Sequence, residues 1–305
     1  MPDGHPYAAS IDETPMQGFH IALPGRSVLV DAPSDDLPPD FEDMRVPGRR
    51  RPSLPEQLAA LGASADTVTD VVITHWHTDH INGLTRLLDG QYRPWFSNAR
   101  HYLGAGDWRP ADFGDLEKHT LGVLMDAGRL TLVEGDLRSI RLPDAGRYRM
   151  GLIALNTILL MAGRTDRAAA LATLAAHLAP GGLAVVDAWL PEAQDLVRFD
   201  GRLHLEWMRR DPESGEWVTK EASARHEPAT GAVELTALYS SGAQGEAPRR
   251  YVRVDRLHLV TPDDLVALAE ASGFEVERVA GDYELGPLRG DSERVVLVLR
   301  MAPGG

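Results

Sequence analysis

Thr74-His75-Trp76-His77-Thr78-Asp79-His80-Ile81-Asn82-Gly83 brings three histidines and one aspartate into six consecutive positions. The apolar run just ahead of it, Val71-Val72-Ile73, has the length and β-branched composition of a buried strand. In an extended segment alternate side chains point the same way, so His75 and His77 can converge on one ion. Asp79 and His80 follow on the turn into a short helix expected over residues 81–88, where they can face a second ion. Imidazole and carboxylate donors at this density suit zinc, or another first-row metal such as iron or manganese.

The stretch resembles the His-x-His-x-Asp-His motif of the metallo-β-lactamase superfamily, and the resemblance extends on both sides to cover roughly residues 17–135. Residues 19–22 and 28–31, around Pro24-Gly25-Arg26, look like that family's opening hairpin, with Leu29-Val30-Asp31-Ala32 matching its structural aspartate. Residues 54–61 look like the helix that follows. Trp95-Phe96-Ser97-Asn98-Ala99-Arg100 and Ala127-Gly128-Arg129-Leu130 fit the lactonase-like and esterase-like members. The resemblance implies one or two Zn2+ ions held by His75, His77, Asp79 and His80. Asp79 would also act in catalysis by orienting a hydroxide, because a metal lowers the pKa of its water to about 7. Strands are expected at 67–73, 101–103 and 130–133, a mainly helical stretch at 107–125, and a surface loop over the proline- and aspartate-rich residues 33–55.

Past residue 135 the family pattern stops. Its next loop, Gly-His-Thr-x-Gly-His-like, its later bridging aspartate and its last histidine have no counterpart here; His177, His204, His226 and His258 stand singly. Asp187, at the end of Leu183-Ala184-Val185-Val186, is one residue that could stand in for the bridging carboxylate. With His75 and His77 alone the first site has two protein ligands where a catalytic zinc usually has three, so affinity should suffer.

The remainder is similar to the second half of a class I S-adenosylmethionine-dependent methyltransferase. The similarity rests on Glu134-Gly135-Asp136-Leu137-Arg138, on residues 148–156, and on the helical run 164–178 ending at Pro180-Gly181-Gly182 before the apolar strand 183–186. Four alternating stretches at 203–210, 217–226, 233–239 and 249–259 predict an antiparallel meander, like the cap of some small-molecule N-methyltransferases. Thr261-Pro262 should start a helix that Gly273 ends, and 276–281 with 293–300 resemble the closing hairpin of the methyltransferase sheet. The resemblance implies that Asp136 contacts the adenine amine and Asn156 lines the S-adenosylmethionine pocket. No Gly-x-Gly-x-Gly loop precedes them to form the other wall.

Composition narrows the partners. A net charge of −14 disfavours nucleic acid and anionic membrane, leaving a small molecule as the expected substrate. Without cysteine there is no disulfide, thiolate site or cysteine nucleophile. Residues 1–16 lack the features of a signal peptide and read as a loose lead-in, and the longest apolar run, 152–162, is too short to span a bilayer. A cytoplasmic protein is expected, and its arginine, alanine and glycine usage suggests a GC-rich bacterial genome.

The expected architecture is α/β: partial metallo-β-lactamase-like αβ layers over 17–135, joined to a partial Rossmann-like, mostly parallel methyltransferase sheet with an antiparallel β cap over 136–305. Each half lacks strands that would cover its edges, and homodimerisation is one way to cover them. Three functions follow: a metal-dependent hydrolase of lactones, esters or thioesters, weakened by the missing ligands; a small-molecule methyltransferase using S-adenosylmethionine; or a hybrid without catalysis.

Overall fold

The computed structural model describes residues 17–34, 53–210, 215–242, 245 and 247–302. The lead-in, most of the loop expected at 33–55 and the turn residues 211–214 lie outside them. The chain divides into two compact units between Glu134 and Gly135.

The N-terminal unit is built on a five-stranded sheet of order β1-β2-β3-β6-β7. β1 (Phe19–Leu23) and β2 (Arg26–Val30) form an antiparallel hairpin, and β2, β3 (Asp70–Ile73), β6 (Arg100–Gly104) and β7 (Leu130–Val133) run parallel. α1 (Leu54–Ala60) connects β2 to β3 and places Leu54 and Leu58 in the core beside Leu29, Val71, Ile73, Phe96 and Leu103. β3 is not buried on both faces: Val71 and Ile73 are sealed, whereas Val72 is 38% exposed.

After the short helix α2 (Thr78–Ile81) the expected helix over 81–88 gives way to a hairpin, β4 (Thr85–Leu88) and β5 (Gln91–Pro94). Asp89-Gly90 forces it. Both residues have positive φ, 50° and 77°, the backbone of a two-residue turn that matches strand twist, and this dipeptide supplies it cheaply. The stretch 107–125 is also less helical than its composition predicts. Pro110 and Gly114 split it into 3-10 turns at Ala105–Asp107 and Pro110–Asp112. Beyond them α3 (Asp115–Glu117), a π-helical turn (Lys118–Gly122) and α4 (Val123–Asp126) follow one another.

The C-terminal unit has two four-stranded sheets. The first has order β14-β15-β9-β8, from β8 (Tyr148–Ile153), β9 (Leu178–Trp189), β14 (Phe274–Ala280) and β15 (Arg294–Met301). Only β8 and β9 are parallel; the β9–β15 and β15–β14 pairs are antiparallel. The mostly parallel sheet expected from sequence is therefore corrected to a mixed one, because β14 and β15 form a hairpin that joins β9 antiparallel. α5 (Arg164–His177) and α7 (Pro262–Ala271) bury Leu171, Leu174, Leu265 and Leu268 against Ile153, Val186 and Leu297 on one face. Thr261 caps α7, its hydroxyl accepting the Asp264 amide at 3.1 Å. Met150 and Leu152, alternate residues of β8, remain 48% and 52% exposed.

The second sheet is the expected meander: β10 (His204–Arg210), β11 (Trp217–Glu227), β12 (Ala232–Gly242) and β13 (Arg249–His258), antiparallel throughout. α6 (Ala193–Arg198) precedes it. Among the described residues no helix is long and apolar enough to cross a membrane.

Candidate metal centre in the N-terminal unit

β3 ends at Ile73, and the next residues carry the donors. Thr74 turns the chain by bonding Asp31, on the segment after β2, twice: its amide at 2.8 Å and its hydroxyl at 2.8 Å to the two carboxylate oxygens. His80 Nδ1 lies 2.7 Å from Asp31 Oδ2. Asp31 is itself 5% exposed and sits at φ 58°, a left-handed conformation that aspartate tolerates better than most residues. A buried carboxylate needs partners, and here Thr74 and His80 supply them.

The backbone completes the clamp. Ala32 N–H donates to His80 O at 2.9 Å and Gly83 N–H to Ala32 O at 2.7 Å, while the Asn82 carboxamide bonds both the amide and the carbonyl of Ser34 at 2.7 Å. A Cβ at Gly83 would stand 2.6 Å from Ala32 O, so only glycine permits this approach. Thr74, Asn82 and Gly83 had no role assigned from sequence. Their signal was position alone, since they flank the histidines.

The structure brings all four predicted ligands together. His75 Nε2 lies 3.1 Å from His77 Nδ1, and His80 Nε2 lies 3.3 Å from Asp79 Oδ2. The His75 ring centroid is 4.0 Å from that of His80, so the two pairs are neighbours. Two nitrogens sharing a tetrahedral zinc at 2.0–2.1 Å stand about 3.3 Å apart, so each pair has the separation of two donors on one ion. Taken in threes the donors fall short: among the described residues no group of three or more His, Asp or Glu is arranged to hold a metal. His75 thus stands beside His77 and Asp79 beside His80, as two pairs rather than one cluster. Burial first, and then the neighbouring His80 and His77, holds the His75 pKa below its ordinary value and keeps its ring neutral, the form that ligates.

The remaining predicted site residues lie in the C-terminal unit and already have partners. Asp136 accepts from the Arg138 guanidinium at 2.6 Å and from the Arg138 amide at 2.8 Å, and these bonds hold its carboxyl at about 2. Asn156 Oδ1 accepts the Trp189 amide at 2.6 Å, bracing the turn after β8 at φ 65°. Asp187 is 2% exposed; one oxygen accepts Tyr283 O–H at 2.8 Å and lies 3.6 Å from Arg294 Nη1, and the other has no partner. No glycine-rich strand-to-helix turn accompanies Asp136 and Asn156 among the described residues, and both side chains are already bonded within the chain.

Residues 21–144 match the model of the metallo-beta-lactamase superfamily. Comparison with curated proteins gave no match. Solved structures similar to the chain include an S-adenosylmethionine-dependent methyltransferase from Clostridium acetobutylicum, at 12% identity over 67% of this chain and 75% of that one, TM-score 0.48. An amino pentose methyltransferase from Micromonospora echinaspora is 18% identical over 67% and 74%, TM-score 0.46. DesVI from Streptomyces venezuelae is 20% identical over 69% and 76%, TM-score 0.44.

Proposed function

We propose that the N-terminal unit is a metal-dependent hydrolase centre of the metallo-β-lactamase type, acting on a small-molecule lactone, ester or thioester. The observation that carries this is the pairing at the end of β3: His75 with His77 at 3.1 Å and Asp79 with His80 at 3.3 Å, inside the matched segment. His75 and His77 would hold one ion, Asp79 and His80 a second, with zinc the best fit to the donor chemistry. Such an ion supplies Lewis acidity toward a carbonyl and makes water a stronger nucleophile at neutral pH.

The chain's own residues do the rest. Asp31 accepts from His80 at Nδ1 and so leaves Nε2, the atom beside Asp79, as the lone-pair donor. Asp79 is 48% exposed at its side chain, and its carboxylate would accept a hydrogen bond from an attacking water and orient it. The net charge of −14 supports a small substrate over a nucleic acid.

Elemental analysis of the purified protein beside His75→Ala/His77→Ala tests this. One or two ions per chain, lost in the double variant and accompanied by lactone or ester hydrolysis, is the expected result. Absence of metal from both proteins would overturn it.

A further inference from the structure

Arg167 is the most deeply buried guanidinium of the C-terminal unit, 7% exposed on α5. Both its hydrogen bonds leave from Nη2, to the backbone carbonyls of His258 and of Leu259, the latter at 3.2 Å. Nε is sealed and has no partner. Among the described residues no carboxylate forms an ion pair with it. The nearby Asp264 bonds Arg164 instead, at 3.4 Å, and takes the Thr261 hydroxyl at 2.9 Å. A buried cation bonded only to carbonyls, with the Asp264 charge acting on it without a direct bond, is an unusual and costly arrangement.

The cation also borders a cavity of about 480 Å³, within the size range of small-molecule sites. Arg164, Asp264 and Arg167 are its charged lining; the first two neutralise each other, so Arg167 leaves the cavity one positive charge in excess. The other walls are mainly hydrocarbon, including Leu190, Leu196, Val260 and Leu268. At the N-terminus of α7 Pro262 has no N–H and the Asp264 amide is bonded to Thr261.

We propose that this cavity binds a monocarboxylate with a compact hydrocarbon body. The carboxylate meets Arg167, and the body displaces water from the leucine and valine walls. Nη1, the one guanidinium nitrogen neither sealed nor hydrogen-bonded, is the donor left for the carboxylate, and the apolar lining selects against small, strongly hydrated anions. The site is independent of the metal centre, since every residue that builds it belongs to the C-terminal unit.

Calorimetric titration of the full-length protein with sodium benzoate, and separately with sodium phosphate, tests the proposal. Saturable benzoate binding is expected, weakened by about tenfold or more in Arg167→Met through loss of the charge-assisted bonds. Arg167 also tethers the β13–α7 connection, so its variant could unfold. Leu196→Trp keeps every Arg167 bond, fills the cavity and should abolish the same heat. No saturable benzoate binding, equal binding in Leu196→Trp, or phosphate binding tighter than benzoate would each overturn it.

Discussion

Asp31 and His80 lie 49 positions apart in the chain and face each other at 2.7 Å, one fixing the ring of the other. Because Asp31 is sealed beneath Thr74, the imidazole is held by a carboxylate that solvent scarcely reaches. Removing that charge while keeping the shape, as in Asp31→Asn, should lower metal affinity about 10- to 100-fold, the usual cost of losing such a supporting partner. Competition with a chromogenic chelator reads the affinity, and an unchanged value would show that Asp31 serves folding alone.

Gly83 is required by geometry. Gly83→Ala drives a methyl to 2.6 Å from the Ala32 carbonyl and should cost about 1–3 kcal/mol, as overpacking does. Gly104→Ala meets nothing within 4 Å and should stay within about 0.5 kcal/mol of wild type. Thermal unfolding of the two variants side by side separates a specific contact from a general dislike of alanine.

His101 carries a pH dependence. Its ring is fully buried in β6 with neither nitrogen hydrogen-bonded, and burial pushes its pKa from 6.5 down to about 4. Between those values the unfolded chain holds a proton that the folded chain refuses. Stability is therefore complete above pH 6.5 and falls as the pH drops toward 4, by up to about 3 kcal/mol from this residue. Denaturant titrations at pH 7 and pH 4.5 should show a smaller acid loss in His101→Leu than in wild type; equal losses would acquit the residue.

Asn156 separates a cofactor ligand from a structural brace. Asn156→Ala loses the bond to the Trp189 amide and places alanine at φ 65°, which should cost about 2 kcal/mol in all. Asn156→Gly keeps the backbone relaxed and should recover part of that loss. Neither variant should alter S-adenosylmethionine binding, for calorimetry of the wild type is expected to show none. Saturable heat that disappears in Asn156→Ala would reverse this assignment.

Local chemistry makes much of this legible in the sequence alone. Val71-Val72-Ile73 is readable as strand because alternation fixes direction within a few residues, whereas His75 and His77 lie past the strand's end, 3.1 Å apart on the turn that Thr74 makes against Asp31. The four meander strands and the Thr261 cap were readable for the same reason: each signal is complete within a dozen residues. What escaped depended on distant partners or on weighing two local signals. Asp89-Gly90 competed with a helical composition and won, since positive φ at both positions closes a hairpin. The locking of Asn82 onto Ser34 joins segments 48 positions apart, which no local pattern announces. The resemblance that supplied Asp31 as a structural residue gave no hint that it would grip His80.

The bare side of β8 sets a limit on how the protein can be handled. β8 ends its sheet, and Met150 and Leu152 project half-exposed from it, so an apolar row lies along a sheet edge. Such an edge is inert when molecules seldom meet and sticky when they meet often. Solubility should therefore fall off at a threshold concentration rather than a threshold temperature. A lysine at Met150, one charge on the outward row, is the smallest change that would raise that ceiling without touching Leu171, Leu174 or any other residue packed on the opposite face.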